Sequence, residues 1–292
     1  MTSTLTRFHS FLVVTGFYIF AFFIAGLVLQ SFADNNIYLR ILYADLTATF
    51  VIFVGSVFYK NASIYDPYWS VIPIAIALYL ISFYGGPAND IRQFLVAFCI
   101  LFWGIRLTYN WASQWRGMKH EDWRYVDLRK KTGRWFWLVN LSGIQLFPTI
   151  LVYLGCLALI PALTSGPAAI NLLDALGFIT ALVAIIIEAI SDLQLRQFQK
   201  STTDPKAIMK SGLWKYVRHP NYAGEILFWW GIYLFALAEN PANWWMIIGP
   251  VSITALFFFI SVPMIDRRMI GRRPAYRDHM KTTAGIFPGL KF

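Results

Sequence analysis

Long apolar runs recur along almost the whole chain, at roughly 11–30, 39–59, 67–86, 92–112, 137–162, 172–191, 224–239 and 244–264. Each is long enough, or nearly so, to cross a hydrocarbon core of about 30 Å as a helix. Lipid offers no hydrogen bonds, so backbone amides and carbonyls inside it must be satisfied within the segment or in a closed barrel. The alternation over roughly ten residues that marks a membrane barrel is absent. The chain is therefore expected to be all-α, a polytopic integral membrane bundle of about eight transmembrane helices.

The residue balance agrees. Over 292 residues 58% are apolar, 18% aromatic and 14% charged, and a water-soluble domain so composed would lack the polar surface to cover itself. A net charge of +10 raises nucleic acid as a partner. The basic residues, however, come in short runs between apolar stretches, so no nucleic-acid partner is expected. Segment 113–136 holds Arg116, Lys119, Arg124, Arg129, Lys130, Lys131 and Arg134; segment 192–222 holds Arg196, Lys200, Lys206, Lys210, Lys215 and Arg218. The tail holds Arg267, Arg268, Arg272, Arg273, Arg277, Lys281 and Lys291, while connections 31–38, 163–171 and 240–243 hold neither Lys nor Arg. Basic loops stay on the cytoplasmic side, so an even helix count puts both termini in the cytoplasm. The first run lacks the small-residue cleavage site of a secretory signal and is followed by further spans, so it reads as a transmembrane helix. Cys99 and Cys156 lie inside apolar runs without CxxC spacing, which indicates neither a disulfide nor a zinc site.

Two polar stretches carry the candidate chemistry. Residues 212–225 read GLWKYVRHPNYAGE where a basic loop returns to the membrane. Pro220 suits an early helical position, and Asn221 and Glu225 lie one turn apart on one face. Arg218, His219, Asn221, Tyr222 and Glu225 would converge at a helix start, which favours anions through its free amides and dipole. An interfacial anchor, with Trp and Tyr among headgroups and Arg and Lys on lipid phosphate, explains the same residues. The second stretch is SDLQLRQF at 191–198. Asp192 and Arg196 are spaced to form an ordinary helix-surface ion pair, or to serve a nucleotide through a phosphate and a hydroxyl.

SDLQLRQFQK followed by SGLWKYVRHPNYAGE resembles the C-terminal half of the steroid 5-alpha-reductase family. The resemblance extends to sterol reductases, to a bacterial membrane branch of the same superfamily and, more distantly, to isoprenylcysteine carboxyl methyltransferases. It covers about residues 188–292, including the tail with Asp266, Arg267, Arg268, Tyr276, Phe287 and Pro288. It implies an NADPH pocket at the cytosolic helix ends, with Asp192, Arg196, Asn221 and Glu225 in the matching positions. Arg218, His219 and Tyr222 match the sterol-reductase form, and the tail adds Arg267, Arg268 and Tyr276. On this reading 1–292 is a single membrane domain, with extra N-terminal helices at 1–60 and a reductase-like core at 61–292 whose cofactor half is 188–292.

The N-terminal half can be laid over the same family at YDPYWSVIP, residues 65–73, where the family carries a catalytic glutamate seven residues before a proline. Asp66 takes that position with a side chain one methylene shorter. Arg106 is retained in the following helix, but the family's substrate-binding tyrosine falls on Trp103, which has no phenol. The resemblance thus implies Asp66 as an acid, with Tyr68 as its expected hydroxyl partner and Tyr84, Tyr109 or Tyr125 as alternatives. The stretch Lys119–Tyr125 interleaves acids, bases and aromatics and reads either as a solvated loop or as a lid over a cofactor. Its lone His120 beside Glu121 and Asp122 falls short of a metal ligand set, so no metal is expected. Asp45, Asp174 and Glu188 lie in or near spans, where local pairing near a helix end and a proton or substrate pathway are both open readings.

The leading expectation is an NADPH-dependent reductase that adds hydride to an activated C=C bond, an enone, in a lipophilic and steroid-like substrate. An S-adenosylmethionine-dependent membrane methyltransferase and a non-catalytic lipid-binding protein are the alternatives. Arg196, Arg218, Arg267 and Arg268 favour the cofactor that carries phosphates. No GxGxxG follows a strand, which excludes a Rossmann pocket. The expected setting is the inner membrane of a bacterium, with membrane lipids as neighbours and the cofactor site facing the cytoplasm.

Overall fold

A computed structural model describes residues 6–86, 88–166 and 168–289. The helices are α1 (Arg7–Ser31), α2 (Ile37–Tyr59), α3 (Tyr68–Tyr84), α4 (Asp90–Gln114), α5 (Trp123–Cys156), α6 (Leu159–Thr164), α7 (Leu172–Ser201), α8 (Pro220–Glu239), α9 (Pro241–Arg272) and α10 (Tyr276–Thr282). A 3-10 turn, Ala62–Ile64, precedes α3, and another, Gly212–Lys215, precedes α8. Among the described residues the one extended pairing is an isolated bridge between Val217 and Ala284. The protein is a polytopic helical membrane protein. Seven helical stretches are long and apolar enough to cross a bilayer: α1, α2, Ala62–Tyr84, α4, α5, α7 and α9. Their outer faces carry exposed Phe8, Ile19, Phe23, Phe94 and Phe259, as side chains meeting lipid do.

The remaining expected span, 224–239, forms α8 but is not among those seven. Thirteen of its twenty residues are buried, and Asn221, Glu225, Trp229, Trp230 and Tyr233 dilute its hydropathy. A helix wrapped by protein needs less apolar surface than one facing lipid, because its polar groups find partners in the bundle. Two helices contain π-helical stretches, Asn140–Leu146 in α5 and Phe257–Ser261 in α9, each a local insertion into the regular ladder.

The described residues divide into two compact units: one drawn from Met1–Ser82 and Trp103–Leu157, the other from Phe83–Phe102 and Ala158–Phe292. In the first, α1 and α2 form an antiparallel pair, and Asn36 caps α2 by accepting from the Tyr38 amide. Its core holds polar groups bonded to one another: the hydroxyls of Thr49 and Tyr65 each lie 2.8 Å from that of Thr149, and Gln145 Nε2 donates to Ser56 at 3.0 Å. Arg7 donates to the carbonyls of Ala112 and Trp115, closing the end of α4.

In the second unit α7 packs along α8 through small residues. A Cβ at Gly231 would come within 2.7 Å of the Ala181 amide nitrogen, and one at Gly224 within 2.9 Å of the Ala184 carbonyl oxygen, so the backbones meet where side chains are missing. Asn171 and Asp174 form a capping box at the start of α7. Asp174 also takes a two-pronged ion pair from Arg92, at 2.7 and 2.9 Å, with both side chains buried. Local pairing thus accounts for Asp174. Asp45 differs from the expectation for a residue near a helix end: it lies two turns inside α2 and is buried, with Tyr68 donating to its Oδ1 at 2.7 Å.

Candidate active site

In the first unit the candidate site grows from the short link between α2 and α3. Lys60 closes α2 in the left-handed conformation, φ 54°. Asn61 then caps the 3-10 turn by accepting from the Ser63 amide at 2.8 Å. Its Nδ2 reaches across to the carbonyls of Met118 and His120, at 2.8 and 3.1 Å. Three more bonds fasten the same strip: Glu121 accepts from the Ala62 amide at 2.9 Å and from Arg129 at 2.8 Å, and Ser63 Oγ accepts from the Asp122 amide at 2.8 Å. Asp122 caps α5 through the Arg124 amide, and the Arg129 guanidinium lies 3.8 Å over the Phe136 ring. At about 0.5–1.5 kcal/mol net for each such bond, the set holds the strip as firmly as a piece of core.

The fastening has a chemical result. It brings the first turn of α5 against the start of α3, where the Tyr125 hydroxyl donates to Asp66 Oδ1 at 2.6 Å, both residues being partly buried. The Lys119–Tyr125 stretch is thus neither a solvated loop nor a free lid, since its polar groups are spent on protein partners. Tyr68, the expected partner, points elsewhere. Its hydroxyl is given to Asp45, and its ring stacks on Tyr65 at 5.2 Å. Of the alternatives, Tyr109 is exposed and Tyr125 is the one that bonds Asp66. Trp103 is fully buried.

In the second unit the residues singled out in 192–276 separate into two groups. Arg218, His219 and Tyr276 converge on Asp266, a residue of the tail to which no role had been given. Arg218 Nη2 donates to its Oδ2 at 2.8 Å, while His219 Nε2 and the Tyr276 hydroxyl meet Oδ1 at 2.9 and 2.7 Å. Arg218 Nη1 also donates to the Thr283 carbonyl at 2.6 Å, and the amides of Arg218 and His219 donate to the carbonyls of Ala284 and Gly285. Burial and the neighbouring Asp266 carboxylate push the Tyr276 phenol above its usual range. These three residues therefore sew the tail to the start of α8. They are committed to a carboxylate of the chain itself, a correction to their expected place among cofactor ligands. Tyr222 packs its ring on His219 at 5.4 Å and on Phe257 at 4.7 Å.

The other group is open. Asp192 and Arg196 lie one turn apart near the end of α7, Asn221 lies in the first turn of α8, and Arg267 and Arg268 follow Asp266 in α9; all five are at least partly exposed. Glu225 is buried and accepts from Trp229 Nε1 at 2.9 Å.

No solved structure matches the chain significantly. A protein of Schizosaccharomyces pombe described as uncharacterized is 26% identical over 261 residues, covering 80% of this chain and 75% of the yeast protein. The family described as "Protein of unknown function (DUF1295)" matches residues 49–283, which include Asp66, Tyr125, Arg196, Asn221 and Asp266. The chain belongs to that family.

Proposed function

We propose that the protein is an NADPH-dependent reductase of an activated C=C bond in a lipophilic substrate, an enone of steroid-like or other planar shape that arrives through the bilayer. The observation that carries this reading is the Asp66–Tyr125 pair. A carboxyl group that holds a proton on Oδ2 can present it to a carbonyl oxygen while Tyr125 donates to Oδ1. As the proton leaves, the Tyr125 bond becomes charge-assisted and strengthens, so the pair stabilises charge as it develops. The resemblance of YDPYWSVIP and of 188–292 to the steroid 5-alpha-reductases supports the same chemistry.

NADPH, when bound, supplies the hydride. The donor set of the second unit suits its phosphates: Arg196, Arg267 and Arg268 offer guanidinium groups, and Asp192 and Asn221 offer polar contacts to hydroxyl or amide. Arg218, His219 and Tyr276 instead hold the backbone that carries Asn221 and Tyr222. The setting we propose is the inner membrane of a bacterium, with those helix ends in the cytoplasm. One observation favours a second reading. With Arg218 engaged by Asp266, fewer arginines remain for phosphates, and S-adenosylmethionine, which has none, becomes an alternative for methyl transfer to a lipid acceptor.

The experiment is NADPH oxidation against a panel of steroid, prenyl and quinone-like enones. Asp66→Asn should lose most turnover with NADPH affinity unchanged, and Tyr125→Phe should lose about tenfold, on the order of one hydrogen bond to a charged group. Arg196→Ala should weaken NADPH binding by about 1.5–3 kcal/mol. Full activity in Asp66→Asn on an accepted substrate refutes the acid role; methylation of a lipid with no enone reduced establishes the second reading.

A further inference from the structure

A cavity of about 220 Å³ lies in the first unit among α1, α2 and α3, walled by Phe22, Leu29, Ile41 and Ile76, with Asp45 as the one acidic residue in its lining. Asp45 is 2% exposed. Its Oδ1 accepts from Tyr68, whereas Oδ2, also buried, has no partner among the described residues. An unsatisfied carboxyl oxygen inside a membrane protein is costly, and no Lys, Arg or His pairs with it among the described residues. The cost is removed by a ligand that fills the apolar walls and gives one hydrogen bond to that oxygen.

We infer that this cavity binds a neutral lipophilic alcohol, an apolar body with a single hydroxyl seated on Asp45. A hydroxyl can donate to a carboxylate and accept from a carboxylic acid, so it satisfies Oδ2 in either protonation state. An amine would bring a second charge into the interior and pay its desolvation, and a ketone serves only the protonated acid. The volume sets the size. A cavity of about 150 Å³ takes a benzene ring, so about 220 Å³ takes one six-membered ring with its alkyl substituents, or the head end of a longer isoprenoid. The site uses neither Asp66 nor Tyr125 and stands whether or not enones are reduced.

The test is competition binding of tritiated menthol to the full chain in nanodiscs, with protein-free nanodiscs subtracted and unlabelled p-menthane, menthone and menthylamine as competitors on one carbon skeleton. Menthol should compete about five- to tenfold better than p-menthane, the worth of one buried hydrogen bond. Asp45→Leu should abolish that preference while keeping binding of the skeleton, because Tyr68 still has the Asp45 carbonyl at 3.1 Å. Gly26→Leu should remove all binding, since Gly26 lines the cavity and a Cβ there meets nothing within 4 Å. Head-group ratios measured within one variant do not depend on how much of it is folded. Equal competition by menthol and p-menthane, a menthol preference that survives Asp45→Leu, or tighter binding of menthylamine than of menthol each overturns the inference.

Discussion

Removing the carboxylate of Asp174 should be among the most damaging single changes in the second unit, for a reason that the double variant exposes. Arg92 is 1% exposed, with Nε and Nη2 on Asp174 at 2.7 and 2.9 Å and weaker bonds of 3.3 Å to the carbonyls of Ala168 and Ala169. Asp174→Ala leaves a buried guanidinium without a counter-charge, about 3–5 kcal/mol, and also strips the Asn171 amide of its acceptor, about 1 kcal/mol more. A loss of about 4–6 kcal/mol lowers the unfolding midpoint of a domain this size by roughly 8–20 °C. Replacing both partners, Arg92→Met with Asp174→Leu, removes the charge as well as its partner. The remaining cost is then two carbonyls and one amide left short of bonds, about 1–3 kcal/mol. The assay is thermal and denaturant unfolding in mixed micelles followed by tryptophan fluorescence. A double variant as unstable as Asp174→Ala would refute the reasoning, since attraction between the charges, rather than the desolvation of an orphaned one, would then dominate.

Gly231→Ala should cost about 1–3 kcal/mol by overpacking against Ala181, whereas Gly26→Ala, which meets nothing, should be neutral or gain up to about 1 kcal/mol of helix propensity; equal effects in the same unfolding assay would show that α7 and α8 do not approach as described. Alkaline phosphatase fused to either terminus should be inactive and green fluorescent protein fused there should fluoresce; an active phosphatase at either end refutes the orientation drawn from the basic loops.

The spans were legible because lipid imposes a length and an apolarity that no soluble helix needs, and all but α8 declare themselves this way. In α8 the requirement lapses, since protein rather than lipid surrounds Trp229, Glu225 and Tyr233. Asp66 could be singled out by its place before Pro73, but its partner could not. Tyr125 lies 59 residues away, and Tyr68, two residues along, was the nearer choice on local grounds. On α3 those two residues point to different neighbours, which a linear spacing hides. The loop 119–125 was ambiguous because a side chain bonded to protein and one bonded to water have the same composition; only Asn61 and Ser63 on the other side decide between them. Arg218 and His219 were read as ligands for an outside anion. Their anion is Asp266, 48 and 47 residues away, and three donors on one carboxylate leave no local trace.

The π-helical stretch in α5 lets one helix keep two appointments. A regular helix turns about 100° per residue, so one residue added within a turn offsets every side chain beyond it by that angle. On one side of Asn140–Leu146, Tyr125 faces Asp66; on the other, Thr149 faces Tyr65, the residue next to Asp66 in the chain. Both bonds grip the start of α3 from positions 24 residues apart along α5, 125 and 149. The wide turn therefore works as a phase adjuster, matching the register of the proton-holding end to that of the membrane-buried end without a break in the helix.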